Sequence, residues 1–166
     1  ITLDRAYLVR GEENEIILRL LDLLTAAGDS WIDKLPITDT EPFAFREGQE
    51  SEVSKLKEFL NVGSYTSVED VMSWLVERYQ LEGYTPLQQR RLAGIRYEME
   101  RQGFSITSPY TLAEDVAAST VIQVKERSYE LSGVMVVEST IREYVAGDIA
   151  AHLIGQIGPI YAEEYE

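Results

Sequence analysis

The chain has 166 residues, of which 45% are apolar, and this is enough for one well-packed core or for two small subdomains that share one. Its formal net charge of -14 argues against nucleic acid, anionic lipid and other anionic polymers as direct ligands, because the summed field repels them, and it favours basic partner surfaces. Cysteine is absent, which excludes disulfide bonds and thiolate metal sites.

The first predicted element is an amphipathic helix from Glu12 to Ala27. Its apolar residues recur at helical spacing, and Gly28 follows as the expected C-terminal cap. These apolar residues are Ile16, Ile17, Leu20, Leu21 and Leu24. After Pro36, the Pro-Phe-Ala-Phe segment at 42–45 resembles either an edge strand or an ordered loop.

Three further helices are predicted between Gln49 and Gln102, and together they form a small bundle. The first spans Glu50 to Leu60, and the other two begin at capping motifs. The capping residues are Thr66 with Glu69, and Thr85 with Pro86 and Gln88. The expected buried residues are Val53, Leu56, Phe59 and Leu60, then Val68, Val71, Met72, Leu75 and Tyr79, then Leu87, Leu92, Ile95 and Met99.

The last third of the chain mixes strands and helices. Ser105 to Thr107 is interpreted as a strand, and Thr111 with Glu114 as a capping box that starts a helix ending near Glu126. Residues 134–144 alternate apolar and polar side chains, which predicts a long strand. The fold class is therefore α+β, with small mixed or antiparallel sheet elements, packed helices and a helical insertion, or head, between about residues 46 and 103.

Residues 133–160 place a strand, a single arginine, a short helix of small residues and a glycine-punctuated exit in succession. This order resembles the end of the N-terminal non-catalytic module of class B penicillin-binding proteins, the cell-wall transpeptidases, which is called the dimerisation or pedestal domain. A weaker match lies upstream at residues 109–116. The matching motif residues are Gly133, Val134, Arg142, Tyr144, Ala150, Ala151, His152, Leu153, Gly155, Gly158 and Ile160.

The resemblance implies one domain over residues 1–166 that serves as a pedestal in a class B protein of the Gram-positive elongation type. It implies a catalytic transpeptidase domain in cis, a SEDS-family glycosyltransferase and a rod-shape scaffold protein as partners, and it is compatible with a homodimer. The parent protein would be a single-pass membrane protein at the extracytoplasmic face of the bacterial cell membrane. This chain has no membrane helix, so we expect the anchor to precede Ile1 and the catalytic domain to follow Glu166.

The resemblance also implies structural roles for the motif, with no catalytic residue, metal ligand or cofactor in this chain. Gly133 and Val134 would open the strand, while Arg142 with Tyr144 would close it, the guanidinium clamping carbonyl or carboxylate groups. His152 would help to fix the turn towards the catalytic domain. Gly155 and Gly158 would permit positive φ or close packing.

Other chemistries have weaker support in the sequence. Ser54 and Lys57 match the Ser-x-x-Lys pattern of penicillin-reactive enzymes, but Ser-x-Asn and Lys-Thr-Gly are absent, so we interpret the pattern as the polar face of a helix. A small hydrolase built around His152, Asp148 and a serine is one alternative function, and a simple homo-oligomerisation domain is another. The ten tyrosines offer amphipathic anchors for protein interfaces, and about half are expected to line the core instead.

Overall fold

The computed structural model describes residues 1–138. Within this range the chain forms five helices and a three-stranded antiparallel sheet, which confirms the α+β class. The elements in chain order are β1 (Thr2–Leu3), α1 (Glu13–Ala27), α2 (Glu50–Phe59), α3 (Val68–Tyr79), α4 (Pro86–Arg101), β2 (Tyr110–Thr111), α5 (Ala118–Glu126) and β3 (Val134–Met135).

The sheet joins segments that are far apart in the sequence. Its order is β2-β1-β3, so the first strand of the chain lies at the centre. Thr2 pairs with Thr111 on one side and with Met135 on the other, while Leu3 pairs with Tyr110 and Val134. Leu3 is fully buried, so this short central strand also contributes to the hydrophobic core.

The core is built around α1, which packs against both α4 and α5, while α3 packs against α4. The apolar side of α1 is buried as its spacing predicts, and Gly28 ends the helix in the left-handed conformation with φ of 80°. The buried core residues of α1 are Ile16, Ile17, Leu20, Leu21, Leu23 and Leu24. Burial of this stripe, with several side chains each contributing about 1.5–3 kcal/mol, is the main driving force for the helix.

The helix starts are partly as predicted. Thr85 caps α4 with a reciprocal capping box that involves Gln88, and Pro86 occupies the first turn, which confirms that prediction. For α3 the predicted box of Thr66 with Glu69 is wrong by one position. Ser67 takes the extended conformation, and its hydroxyl accepts a hydrogen bond from the Asp70 amide at 3.1 Å.

The predicted strand at Ser105–Thr107 is wrong, because Ser105 and Ser108 form an isolated bridge across a tight turn. The strand lies at Tyr110–Thr111 instead. Thr111 pairs with β1, so it does not cap a helix, and α5 begins later, at Ala118.

The start of α5 is supported by a residue from elsewhere in the chain. The Ala117 amide donates a hydrogen bond to Asp29 Oδ1 at 3.2 Å, and the Thr120 hydroxyl also donates to the Asp29 carboxylate. Asp29 directly follows the cap of α1, so one carboxylate ties the end of α1 to the start of α5 and complements the helix dipole.

Burial in α2 is also lower than predicted, because Leu56 is the only apolar residue of this helix that is buried. Val53, Phe59 and Leu60 are only half-buried. The predicted insertion at about 46–103 contains α2, α3 and α4, and its status as a separate head stays a prediction. The 42–45 segment is an ordered loop in which Phe45 forms an isolated bridge with Ile37.

The predicted long strand at 134–144 begins at Val134 as expected. Strand pairing extends only to Met135, and Val136 to Glu138 are unpaired. The remainder of the predicted strand lies outside the described residues.

Arg90 is the largest fully buried side chain in the described part of the chain. Its guanidinium meets both carboxylate oxygens of Asp33, at 3.1 Å and 2.9 Å. It also donates to the carbonyl oxygens of Leu35 at 3.2 Å and Thr38 at 3.0 Å, and to that of Ile37. A buried charge is tolerated only when it is paired and hydrogen-bonded, and this arrangement meets both conditions.

Two neighbouring residues complete this network. Arg46 donates to Asp33 Oδ2 at 3.2 Å and to the Ile37 carbonyl at 3.0 Å. Gly94 lies so close that a Cβ atom there would be 2.8 Å from Asp33 Oδ1 and 3.0 Å from Arg90 Nη1. The loop between α1 and α2 is therefore held onto α4 by charged hydrogen bonds, and α4 needs a glycine at this contact.

We expect Asp33→Asn to lower the free energy of unfolding by about 2–4 kcal/mol, because it leaves the buried Arg90 guanidinium without its counter-charge. Urea denaturation measures this. Asp39→Asn is the matched control, since Asp39 lies in the same loop and is exposed, and we expect it to change stability by less than about 0.5 kcal/mol. Equal decreases in the free energy of unfolding for the two variants would contradict a stabilising ion pair between Asp33 and Arg90.

Glu98 is a second buried charge on α4. Arg101 donates to its carboxylate through two bonds of 2.9 Å and 2.8 Å, Gln102 donates at 2.9 Å, and Lys34 Nζ lies 3.7 Å away. Burial acts to raise the pKa of Glu98, but the hydrogen bonds from Arg101 and Gln102 outweigh it and hold the pKa below its usual value.

A carboxyl group with a lowered folded-state pKa stabilises the fold above its unfolded-state pKa of about 4.3, and this stabilisation is lost as the pH falls through the folded-state value. We therefore expect Glu98→Gln to be less stable than the parent chain at neutral pH, and the difference to shrink in acid. Denaturation at a series of pH values measures it. The control is Glu126→Gln, at an exposed position on α5, for which we expect no such pH-dependent difference.

Candidate functional site

Two of the predicted motif residues, Gly133 and Val134, fall in the part of the chain that the structure describes, and Val134 begins β3. The other nine motif residues lie beyond Glu138, outside the described range, and so does Asp148 of the alternative hydrolase site. Their predicted roles stay predictions. These nine residues are Arg142, Tyr144, Ala150, Ala151, His152, Leu153, Gly155, Gly158 and Ile160.

Gly133 directly precedes β3 and combines two features that only glycine accommodates. Its φ of 76° is in the left-handed region. Its carbonyl accepts a hydrogen bond from the Asp4 amide at 2.8 Å, and a Cβ atom would lie 2.7 Å from the Leu8 amide nitrogen and 2.9 Å from the Asp4 carbonyl oxygen. The backbone that follows β1 therefore passes against Gly133, and this contact sets how β3 enters the sheet.

We expect Gly133→Ala to lower the free energy of unfolding by about 3 kcal/mol, because a methyl group adds a clash with main-chain atoms to the strain of a positive φ. The control is Gly11→Ala. Gly11 has a similar φ of 86°, but a Cβ atom added there would have no neighbouring atom within 4 Å, so only strain of about 1 kcal/mol applies. Calorimetric or denaturant unfolding separates the two, and equal effects would contradict the close approach at Gly133.

A cleft of about 530 Å³ runs beside α2 and contains the Ser-x-x-Lys residues. Ser54 Oγ donates to the Glu50 carbonyl in its own helix at 3.0 Å. Lys57 Nζ donates to the Ser64 carbonyl at 2.7 Å and lies 4.7 Å from the centre of the Phe45 ring. Both side chains thus make structural contacts, and Lys57 links α2 to the two loops that flank it.

The tyrosines divide between core and surface, as expected. Tyr79, Tyr97 and Tyr110 are buried, whereas Tyr7, Tyr65 and Tyr129 are exposed. Tyr65 lies on the loop between α2 and α3 and is fully exposed. Surface anchors of this kind suit protein interfaces.

Trp74 on α3 is a surface residue that the sequence interpretation missed. Its side chain is 51% exposed, and it borders a depression of about 320 Å³ together with Thr66, Asp70, Ser73 and Glu77. A usable signal was present in the sequence. The buried positions of α3 define one side of the helix. With 3.6 residues per turn, Trp74 lies outside that side.

No helix among residues 1–138 has the length and apolar content needed to cross a membrane. In the same range, no three His, Cys, Asp or Glu side chains are grouped so that they could hold a metal ion.

The sequence of this chain was compared with known proteins and protein families to identify its family. No curated protein is similar enough in sequence to count as a match. The family model described as "Penicillin-binding Protein dimerisation domain" matches residues 1–166, the full length of the chain. This domain is a non-catalytic module of penicillin-binding proteins, so the resemblance inferred from the sequence is confirmed at the level of the family. The chain therefore belongs to the penicillin-binding protein dimerisation domain family.

Proposed function

We propose that this domain is the pedestal of a class B penicillin-binding protein of the elongation type. It holds the transpeptidase domain in position at the extracytoplasmic face of the bacterial membrane and docks partners of cell-wall synthesis. The family match over residues 1–166 is the observation that carries the proposal. In this proposal the parent is a single-pass serine-type peptidoglycan D,D-transpeptidase, and the domain itself performs no turnover.

The central strand supports a positioning role. β1 lies near the beginning of the chain and pairs with β3, which leads towards the predicted motif. In this proposal the anchor lies on the N-terminal side of β1 and the catalytic domain on the C-terminal side of β3, so the sheet couples the two sides of the chain. A displacement of β1 would then be passed to β3 through backbone hydrogen bonds and the Gly133 contact, rather than through flexible side chains.

The helical part supports a docking role. Tyr65 and Trp74 expose large aromatic surfaces there, and the acidic net charge favours basic partner surfaces over nucleic acid. The proposed partners are a SEDS-family glycosyltransferase and the rod-shape scaffold protein. A partner that binds one orientation of the pedestal more tightly would shift its population and so couple assembly to activity, within the limit of its differential affinity.

The proposed motif roles belong to the same picture. Arg142 with Tyr144 is proposed to clamp carbonyl or carboxylate groups in the segment that follows β3, and His152 with Gly155 and Gly158 to shape the exit towards the catalytic domain. A homodimer is the second candidate state, and the name of the family favours it.

Calorimetric titration of the 166-residue chain with the purified extracytoplasmic part of the scaffold protein tests the proposal, with light scattering on the same sample. We expect saturable binding by a monomer. Tyr65→Ala should weaken this binding by several-fold, because a fully exposed aromatic anchor is removed, whereas Tyr129→Ala on the loop between α5 and β3 should not. A mass of two chains that persists on dilution, without scaffold binding, would support the oligomerisation function instead.

A further inference from the structure

The outward side of α3 carries an aromatic residue that the core does not require. Val71, Met72, Leu75 and Tyr79 already supply a complete buried side for this helix. Trp74 lies outside that side and keeps half of its surface exposed. A half-exposed indole costs hydration free energy unless a partner covers it, so Trp74 marks a binding surface more strongly than a scattered leucine or valine would.

The ring is flanked by negative charge. Asp70 and Glu77, one turn before and after Trp74, line the same depression. Neither carboxylate forms an ion pair with any of residues 1–138. The neighbouring base, Arg78, is turned away, because both oxygens of Glu100 hold its guanidinium and it lies 5.0 Å from the Phe59 ring centre.

The exposed surface around Trp74 extends beyond this one side chain. A second depression, of about 510 Å³, shares Ser73 and Glu77 with the first and continues along the helix past Val76 to Glu82 and Gln89. The two depressions form a shallow groove along α3 that carries one aromatic ring, some apolar surface and three carboxylates. We call it the α3 groove.

We propose that the α3 groove binds an arginine-bearing segment of a partner protein, with one guanidinium stacked on Trp74 between Asp70 and Glu77. The indole is the best aromatic partner for a cation, and the two carboxylates supply charge-assisted hydrogen bonds to its edge. Arginine fits better than lysine, because its planar group stacks on the ring and pairs with carboxylates at the same time. The inference names the partner chemistry for the docking role proposed above and rests on that role.

The same kind of stacking, a guanidinium on an indole ring, already occurs elsewhere in this chain. Trp31, the other tryptophan, already carries a guanidinium, since Arg91 lies 5.4 Å from its ring centre. Trp74 offers an equivalent ring beside acidic groups and lacks a cation among residues 1–138. Among residues 1–138, arginine therefore stacks on an indole once, at Trp31, and these residues leave the Trp74 ring open to a partner.

The test is a titration of the full 166-residue chain with a peptide of Arg-Gly repeats at near-physiological ionic strength, followed by the indole N–H signals in NMR spectra. We expect the Trp74 signal to shift to saturation and the Trp31 signal to stay in place. A Lys-Gly peptide of equal charge should bind at least about threefold more weakly, because its ammonium group does not stack.

Matched variants separate the groove from the overall charge. Glu77→Lys should weaken the arginine peptide about tenfold, whereas Glu126→Lys, with the same change in net charge at the end of α5, should weaken it less than about twofold. Trp74→Ala, followed by calorimetry, should weaken it by about fivefold without changing charge. Unaltered thermal unfolding of each variant shows that the fold is retained.

Equal effects of Glu77→Lys and Glu126→Lys, or a shift of Trp31 in place of Trp74, would overturn the inference, since binding would then follow net charge alone. Equal binding of both peptides together with full affinity in Trp74→Ala would overturn it as well. Scaffold binding by the parent chain without any affinity for the arginine peptide would leave the docking role standing and reject the α3 groove as its site.

Discussion

The ion pair between the buried Arg90 and the partly buried Asp33 is the constraint on which the arrangement of the helices depends. Arg90 is on α4, Asp33 is in the long loop after α1, and the carbonyl groups that Arg90 also binds belong to the same loop. The loop has little regular structure of its own, so these hydrogen bonds replace the ones that a strand or helix would have supplied. α4 in turn packs on α1 and on α3, and the position of the α3 groove therefore follows from a charge buried on another helix.

The sheet and the helical part of the domain have different kinds of stabilisation. Helices α1, α3 and α4 bury continuous apolar stripes, whereas the sheet consists of two-residue strands that cannot bury much surface. Close backbone contacts compensate, of which the one between Gly133 and Leu8 is the tightest described at any glycine. In the proposed function the sheet holds β1 and β3 in a fixed relative position. Close contacts are enough for this role, and a large sheet area is not needed.

Periodic and local signals were predictable from the sequence, and contacts between distant residues were not. The α1 stripe, the Gly28 cap and the Thr85 box depend only on neighbours in the chain. Thr66 and Ser67 are adjacent and both residue types are favourable N-caps, so the cap could not be assigned to one of them from the local sequence. The start of α5 was misplaced because its cap comes from Asp29, which is distant in the sequence.

In the candidate site, Gly133 could be named from its motif, but its contact with Leu8 could not be predicted. The burial of Arg90 could not be predicted either, because arginine usually prefers the surface.

The position of β1 has a consequence for the order in which the domain forms. The strand must wait for partners that lie more than a hundred residues later, at 110–111 and 134–135. Closing such long loops is entropically costly, whereas α4 contacts α1 and α3 over shorter separations. Loop-closure entropy therefore favours packing of α4 on α1 and α3, which forms the α3 surface, before the sheet closes. A partner that binds α3 would then meet a formed surface on a domain whose sheet is still open.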